Sequence, residues 1–475
     1  MNNIKPFLIP ILLVVTNFIV KGFYLSANAI GGDEPFSIFY AQLDIPYIIE
    51  SLSSGNNPPL YEIILHYWIT IFGISPLSVR FPSLLFSCMA VFYLYKIAIK
   101  FINAEVAILS GILFIFSNYQ TVFAHEARVY AFLGMLSTAS IYYYLKLIYT
   151  KDVRAIQFVP LLLVNWLLVY AHYFGFFVLI MELLFILCTK SLLVKHWKHL
   201  CLFTGIIIIG YIPNLTVLID RFLYSSANGT WISEPEGIKS LYNMIRIFSN
   251  APVVAFFSIL LFVAALIKYV VKERKSDVKV AIKLLVFWFV FPFFSMFLIS
   301  YSIPMFIDRY LIFISTAYAI LLGVSSFYVL TNSRLKFVLP VIIACLFVFS
   351  SKPNITNKRN VVETMMKISE LNNNSLIIYP YNFMLNYAYY YDIELFKNSS
   401  SESELKQALM KRNSYAVTKV SEVVFGDQNH IIYLDAATSF LYPNNGILDE
   451  LNNSYSQKSK THFYEVFNVY EFEKK

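Results

Sequence analysis

The chain is poor in charged residues and in cysteine, and it contains no GxGxxG or Walker loop. Only 14% of its 475 residues are charged, whereas 58% are hydrophobic and the mean hydropathy is +0.61. An ordinary soluble domain has about 25% charged residues, so this composition excludes that class. The four cysteines lie inside or beside apolar runs without CxxC spacing, so neither a disulfide framework nor a zinc site is indicated.

The net charge of +8 does not indicate a nucleic-acid partner. The lysines cluster in short connections between apolar runs, where the preference of membrane proteins for positive cytoplasmic loops explains them. We therefore expect no nucleic-acid binding.

Long apolar runs dominate the first 350 residues and predict a polytopic α-helical membrane protein with about eleven spans. The N-terminal run has no small-residue cleavage signature and is long enough to span a bilayer, so we expect a retained first helix. The runs lie at about residues 6–25, 81–100, 104–122, 129–149, 155–171, 173–190, 199–219, 252–271, 281–301, 308–330 and 336–351.

The distribution of basic residues predicts a cytoplasmic N-terminus. With this assignment every second connection, beginning with the one that holds Lys96 and Lys100, is basic and cytoplasmic. An odd number of spans then leaves the C-terminus outside. The outer connections are the ones that carry residues capable of chemistry, namely Asp33-Glu34, His125-Glu126-Ala127-Arg128, Ala171-His172-Tyr173, residues 220–250 and Ile307-Asp308-Arg309-Tyr310.

The first outer loop, residues 28–79, is predicted to contain helices that lie in the membrane interface. Asp44 before Ile45-Pro46 is typical of a helix N-cap, so we expect two short helices with a break there. Asn57-Pro58-Pro59 predicts a stiff turn that returns the chain to the bilayer. The helices are indicated by apolar residues at three- to four-residue spacing: Phe36, Phe39, Leu43, Tyr47, Ile48 and Leu52.

The composition changes at Ser351 to Asn, Ser, Lys and Glu, which predicts a domain boundary between residues 1–351 and 352–475. The tail is predicted to be a small extracytoplasmic α/β domain. We expect strands at 375–379, 430–434 and 463–472, and helices at 361–371 and 401–410, the latter with a serine-acid cap.

Asp33 and Glu34 are the best candidates for a catalytic site, because a carboxylate pair at a membrane face costs desolvation energy unless it has a partner or a task. The alternative is that the pair only caps a helix. Glu126 and Tyr130 are four residues apart, so we expect them to share a helix face. Arg128 could pair with Glu126 or extend to lipid headgroups, and His172 alone is typical of a hydrogen-bonded interfacial histidine.

Three arginines are predicted at the outer edge of the membrane, where the positive-inside preference disfavours basic residues: Arg80, Arg128 and Arg309. A guanidinium matches a phosphate bidentately, and an acid can take a proton from a hydroxyl. A set of acids and arginines on one face is therefore consistent with an enzyme that transfers a sugar from a phosphate to a hydroxyl. Because no nucleotide-binding loop is present, an activated sugar would come on a lipid carrier.

In the order of its motifs, the sequence resembles glycosyltransferase family 39, the family of protein O-mannosyltransferases and aminoarabinose transferase within the GT-C superfamily. The resemblance covers about residues 1–350. It departs at two positions, since many relatives have His where Asn57 stands and Gln where His125 stands. The motifs are Asp33-Glu34-Pro35, Asn57-Pro58-Pro59-Leu60-Tyr61 with Leu65-His66-Tyr67-Trp68, Val79-Arg80-Phe81-Pro82-Ser83, Phe123-Ala-His-Glu-Ala-Arg128-Val-Tyr130, Ala171-His172-Tyr173-Phe174 and Arg309-Tyr310-Leu311.

The resemblance implies a polyprenyl-phosphate-linked sugar donor, an outward-facing site and inversion at the anomeric carbon. It implies Asp33 as the catalytic carboxylate with Glu34 beside it, Glu126 as a second acid, and Arg128, Arg309 and Arg80 toward the donor phosphate. Further substrate-binding residues are expected at Asn57, Tyr61, His125, Tyr130, His172 and Tyr310.

The expected function is transfer of a sugar to a hydroxyl of a lipid, glycan or protein, in contact with membrane lipids, at the outer face of a bacterial inner membrane. A divalent cation could be held by the acids, but no ligand spacing is diagnostic, and no other cofactor is expected. The alternative is a transporter or lipid flippase, which should place charged residues near the bilayer midplane and show two related halves. A membrane-anchored sensor would leave the outer-loop acids unexplained.

Cysteine-accessibility labelling of a cysteine-free variant tests this topology. We expect a membrane-impermeant reagent, added to cells with a permeabilised outer membrane, to label Ser401→Cys and not Ser276→Cys. Protection of Ser401→Cys, or labelling of Ser276→Cys, would contradict the assigned orientation.

Overall fold

The computed structural model describes residues 5–53, 57–151, 154–228, 232–273, 279–332, 334–355, 360–464 and 467–475. The chain forms two compact units. The helical unit comprises Met1–Leu25, Ile49–Ile64 and Arg80–Asn354, and the mixed unit comprises Ser26–Ile48, Leu65–Val79 and Ile355–Lys475. Parts of the predicted first outer loop therefore belong to the same compact unit as the tail.

Helices account for most of the first 350 residues. They are α1 (Lys5–Gly22), α2 (Glu34–Ala41), α3 (Ile45–Ser53), α4 (Leu60–Phe72), α5 (Pro76–Phe101), α6 (Ala104–Ile115), α7 (Asn118–Ala124), α8 (Tyr130–Tyr149), α9 (Val159–Ala171), α10 (Gly175–Cys188), α11 (Lys190–Asn228), α12 (Ile238–Phe248), α13 (Pro252–Lys268), α14 (Val280–Ile299), α15 (Ile312–Val329) and α16 (Val338–Ser350).

Six helices in the described part of the chain are long and apolar enough to cross a membrane, and the bent pair α6 and α7 would make a seventh. Five further apolar helices have 10–17 residues. Each of the eleven predicted apolar runs falls on one of these helices. The remaining short helix, α4, lies within residues 28–79, for which only two short helices were predicted.

The predicted span at 104–122 is broken at Ser117. Helix α6 ends at Ile115, and α7 continues at an angle of 61° to it. The Ser117 hydroxyl accepts a hydrogen bond from the Gln120 backbone N–H at 3.3 Å, so this serine caps the second helix. After this break, helix α7 runs only to Ala124 and ends just before the predicted His125–Arg128 cluster.

The two predicted interfacial helices are present as α2 and α3, with a break between Ala41 and Ile45. Helix α3 begins directly after Asp44, as the Asp-Ile-Pro sequence predicts. Within the mixed unit the His66 Nδ1 atom lies 2.9 Å from the Ala41 carbonyl oxygen, which joins α4 to the C-terminal end of α2.

In the part of the tail that the structure describes, there is a five-stranded mixed sheet and there are six α-helices. The strands are β1 (Leu376–Pro380), β2 (Ser414–Val417), β3 (His430–Ala436), β4 (Tyr455–Tyr464) and β5 (Phe467–Lys474), in the order β2-β1-β3-β5-β4. The first three are mutually parallel, whereas β5 is antiparallel to β3 and β4. The helices are α17 (Val361–Leu371), α18 (Met384–Tyr391), α19 (Ile393–Asn398), α20 (Glu402–Met410), α21 (Thr438–Leu441) and α22 (Ile447–Ser454).

The predicted helices and the first two predicted strands of the tail are confirmed. Ser401 caps α20, since its hydroxyl accepts from the Glu404 backbone N–H at 3.1 Å. The prediction of one last strand at 463–472 is wrong, because this range contains the end of β4 and most of β5, which pair as a hairpin. Residues 465 and 466 between them lie outside the described residues.

Candidate functional site

The turn between α7 and α8 carries His125, Glu126 and Arg128. The prediction that Glu126 and Tyr130 share a helix face is wrong, because α7 ends at Ala124 and α8 begins only at Tyr130. Glu126 is partly buried, and Arg128 is 9% exposed. The helical unit therefore presents these side chains from an irregular turn, and loop residues commonly bind ligands.

Two hydrogen bonds within the helical unit hold this turn. The His125 Nε2–H donates to the Lys21 carbonyl oxygen at 2.6 Å, near the end of α1. The Ser83 hydroxyl in α5 donates to the Glu126 carbonyl oxygen at 2.6 Å. Both acceptors are backbone carbonyl groups, so these bonds fix the path of the turn. Neither bond involves the Glu126 carboxylate.

Arg80 and Tyr61, two more predicted site residues, are completely buried in the helical unit. The Arg80 Nη1 donates to the Leu25 carbonyl oxygen at 3.0 Å, so it joins α5 to the chain just after α1. The Tyr61 hydroxyl lies 3.5 Å from the Ser83 hydroxyl. Both residues thus contact the elements that hold the turn, whereas Asn57 lies partly buried at the Asn-Pro-Pro turn before α4.

His172 lies in the short connection between α9 and α10 and is 1% exposed. Its Nδ1 accepts the backbone N–H of Phe174 at 3.1 Å. Burial, and to a smaller extent the positive charge of Arg128, lowers the pKa of His172 from 6.5 to about 3. The ring is therefore neutral at physiological pH with its proton on Nε2, and this N–H has no hydrogen-bond partner in the described part of the chain.

An aromatic cluster surrounds His172 and brings together three predicted site residues. The ring of His172 lies 6.1 Å from Tyr130 and 5.8 Å from Tyr310, and it stacks on Phe174 at 5.1 Å. Tyr310 follows Arg309 in a 3-10 helix, Asp308–Leu311, that leads into α15. Arg309 is partly buried, and the Tyr119 hydroxyl fixes this helix by donating to the Asp308 carbonyl oxygen at 2.6 Å.

Two charged residues inside predicted spans escaped the sequence analysis. Lys21 is fully buried in α1, where its ammonium group donates to Ser87 Oγ at 3.1 Å and the Phe114 carbonyl at 3.2 Å. Glu182 in α10 accepts from Ser140 of α8 at 2.6 Å and Asn165 of α9 at 2.9 Å. Each of these groups thus has hydrogen-bond partners on neighbouring helices, which compensate for its desolvation.

In the mixed unit, Asp33 and Glu34 lie at the N-terminus of α2 and differ in burial. Asp33 is exposed, whereas Glu34 is only 1% exposed. The Asp33 side chain makes no hydrogen bond that caps α2. Both acids lie at the positive end of the α2 dipole, so the alternative that the pair only stabilises the helix start stays open beside the catalytic prediction.

The described residues contain no group of three or more His, Cys, Asp or Glu side chains placed to hold a metal ion. A divalent cation therefore stays a sequence-based prediction, as does each of the site roles.

His125 offers a direct test of how the turn is held. We expect His125→Ala to lower the apparent melting temperature in detergent, because it leaves the buried Lys21 carbonyl without its 2.6 Å donor, a loss of roughly 1–3 kcal/mol. His125→Gln keeps an amide N–H donor and should retain most of the stability. Equal destabilisation by both substitutions would show that this hydrogen bond does not hold the turn.

Comparison with known proteins gives a family match for part of the chain and a fold match for nearly all of it. Residues 56–216 match the family described as Dolichyl-phosphate-mannose-protein mannosyltransferase. The fold resembles crystal structures of ArnT from Cupriavidus metallidurans, in the apo state (10% identity, TM-score 0.63) and bound to undecaprenyl phosphate (11%, 0.61), each covering 97% of both chains.

A second solved relative is the archaeal oligosaccharyltransferase AglB from Archaeoglobus fulgidus, in complex with an inhibitory peptide and a dolichol-phosphate. It matches at 11% identity with a TM-score of 0.52, over 98% of this chain and 74% of its own. The curated proteins give no match to this chain. Together, the family match at residues 56–216 and the ArnT-like fold confirm the resemblance to GT-C glycosyltransferases, and the chain is a multi-pass membrane protein.

Proposed function

We propose that the protein is an inverting glycosyltransferase that moves a sugar from a polyprenyl phosphate to a hydroxyl acceptor at the outer face of the membrane. The observation that carries this proposal is the buried Nε2–H of His172, which has no partner among the described residues and lies near the positive charge of Arg128. A buried donor without a partner costs roughly 1–3 kcal/mol, and an oxygen-rich anionic ligand would supply its acceptor.

The carrier class is supported by what the similar proteins bind. An ArnT structure contains undecaprenyl phosphate, and the AglB complex contains a dolichol-phosphate. Both are long isoprenoid phosphates. In this chain, Arg128 and Arg309 would bind the phosphate, with the neutral His172 donating a further hydrogen bond and the rings of Tyr130 and Tyr310 enclosing the sugar.

The proposed topology has eleven spans, a cytoplasmic N-terminus and an extracytoplasmic tail, within a bacterial inner membrane. Its support is the placement of an apolar helix at each predicted run, together with the lysine-rich connections. Four of these spans are short helices with fewer than 18 residues, and they can cross only if the bilayer thins locally or flanking residues extend to the interface.

In the proposed reaction, the acceptor oxygen attacks the anomeric carbon as the bond from that carbon to the phosphate oxygen breaks. The bonding electrons leave with the phosphate, and the acceptor hydroxyl gives its proton to the carboxylate of Asp33. A hydroxyl is a weak nucleophile, so a base that takes this proton lowers the barrier. The leaving phosphate is already anionic and neutralised by guanidinium groups, so it requires no strong acid.

Exposure distinguishes the three candidate acids. Asp33 is exposed and can reach an acceptor, whereas Glu34 is buried. Glu126 follows His125 in the fixed turn and precedes Arg128 by two residues, which suits orientation of a substrate or of that arginine. Arg80 donates to the Leu25 carbonyl oxygen, so we expect it to support phosphate binding indirectly, by holding the structure around the turn.

Transfer of a labelled sugar from a polyprenyl phosphate by the purified protein tests the proposal directly. In that assay, Asp33→Asn should lower kcat by about 10²–10⁴ with little change in donor binding, because it removes the base but keeps its shape. Asp44→Asn, an exposed acid of the same loop, is the matched control and should retain activity. Near-native turnover of Asp33→Asn together with an inactive Glu126→Gln would exchange the roles of the two acids.

The arginines are tested through donor kinetics. Arg128→Lys and Arg309→Lys keep a positive charge but lose the planar fork, so we expect KM for the donor to rise about 10-fold to 100-fold. Arg246→Lys, at an exposed arginine of α12, serves as the control. If Arg128→Ala and Arg309→Ala both leave donor kinetics unchanged, these residues do not bind the phosphate.

A further inference from the structure

The backbone just before Asp33 receives two hydrogen bonds from side chains of the tail. The Asn386 amide donates to the Gly32 carbonyl oxygen at 3.0 Å, and the Tyr390 hydroxyl donates to the Ile30 carbonyl oxygen at 2.7 Å. Asn386 and Tyr390 are four residues apart on α18, so they lie on one face of that helix. The two carbonyl groups that accept these bonds are two residues apart in the chain. Helix α18 therefore holds the short backbone segment from Ile30 to Gly32 at both ends.

That segment has no regular structure of its own that could fix it. It leads into α2, and Gly32 has a φ of +62°, a left-handed conformation that glycine adopts without strain. The Glu34 N–H closes a turn on the Gly31 carbonyl at 3.3 Å. Rotation about the Gly32 dihedrals would swing Asp33 to a different position, and the bonds from α18 oppose this rotation.

The far end of α2 is also bonded to the tail. The carboxylate of Glu402 accepts from the Tyr40 hydroxyl at 3.1 Å and from the Tyr381 hydroxyl at 2.8 Å. Burial, together with the nearby Glu402, raises the pKa of Tyr40, so its phenol stays protonated and remains a donor. Next to Tyr40, the ring of Phe39 packs edge-on against Phe396 at 5.4 Å. The tail therefore holds the C-terminal end of α2 as well as the segment that precedes the helix.

We infer that the tail is a positioning module for the proposed catalytic acid, with Asn386 and Tyr390 as the positioning residues. This inference rests on the proposed function, and it assigns to residues 355–475 a task in the reaction without placing any of them on the substrate. A general base must lie within hydrogen-bond reach of the proton that it abstracts, and displacement of a reacting group by about 1 Å can cost 100-fold in rate. The bonds to Ile30 and Gly32 act at three residues and one residue from Asp33, respectively.

The chain offers a matched pair of variants. Tyr390→Phe removes the hydroxyl that bonds Ile30, and Tyr387→Phe removes a hydroxyl from the same helix that lies 3.0 Å from Ser414 Oγ of β2. Both variants lose the phenolic hydroxyl and keep the ring. We expect Tyr390→Phe to lower kcat about 10-fold to 100-fold with the donor KM unchanged, and Tyr387→Phe to leave kcat near the native value.

A double-mutant cycle separates positioning from general weakening. If Tyr390 acts through Asp33, then Tyr390→Phe should cause no further loss of kcat in the Asp33→Asn background. The same fold-loss in both backgrounds would overturn the inference. Asn386→Leu, which removes the second donor, should behave in the same way as Tyr390→Phe.

Hydrogen exchange provides a measurement that does not depend on activity. In the full-length protein, amides of the peptide covering residues 26–41 should exchange faster in Tyr390→Phe than in the native protein or in Tyr387→Phe. Unchanged exchange would refute positioning even if the native protein transfers sugar. Faster exchange with no transfer by the native protein would instead refute the proposed function and leave the structural coupling in place.

Discussion

A bilayer requires that every backbone N–H and C=O be bonded within the chain, and this constraint governs where chemistry can occur in this protein. Inside the apolar helices the backbone bonds itself, so the polar residues that remain available collect where helices end. The turn after α7, the connection after α9 and the 3-10 helix before α15 are three such ends. Each carries residues of the candidate site, and each is fixed by hydrogen bonds that use backbone carbonyls of neighbouring segments or its own backbone N–H.

The same constraint explains the charged groups within the helices. Lys21 and Glu182 both bond to neighbouring helices, Lys21 through its ammonium group and Glu182 through both carboxylate oxygens. Lys21 has a second role, because its carbonyl oxygen accepts from His125. One residue near the end of α1 therefore joins the packing of the bundle to the geometry of the turn that carries Arg128.

The positions of the apolar helices could be predicted because a run of bilayer length has few other structures open to it. Local chemistry also predicted the cap at Ser401 and the break before Ile45. The predictions that proved wrong concern segments whose structure depends on contacts with distant parts of the chain. The stretch from Glu126 to Tyr130 has helical spacing, but the Ser83 bond to the Glu126 carbonyl holds it as a turn. The hairpin of β4 and β5 depends on pairing with β3, which no short pattern reveals. Likewise, nothing in the spacing around Asp33 indicates that α18 bonds the backbone just before it.

The bonds from α18 to the loop before Asp33 have a consequence for the order of biosynthesis. Asn386 and Tyr390 follow their partners Gly32 and Ile30 by 354 and 360 residues. At about 5–20 residues per second, a ribosome takes roughly 20–70 s to cover that distance. During this interval α2 has emerged, but the side chains that hold it have not been made. The loop that carries the acid thus reaches its final conformation only after α18 has been synthesised and has folded, so assembly of this part of the molecule waits for a segment that is made much later.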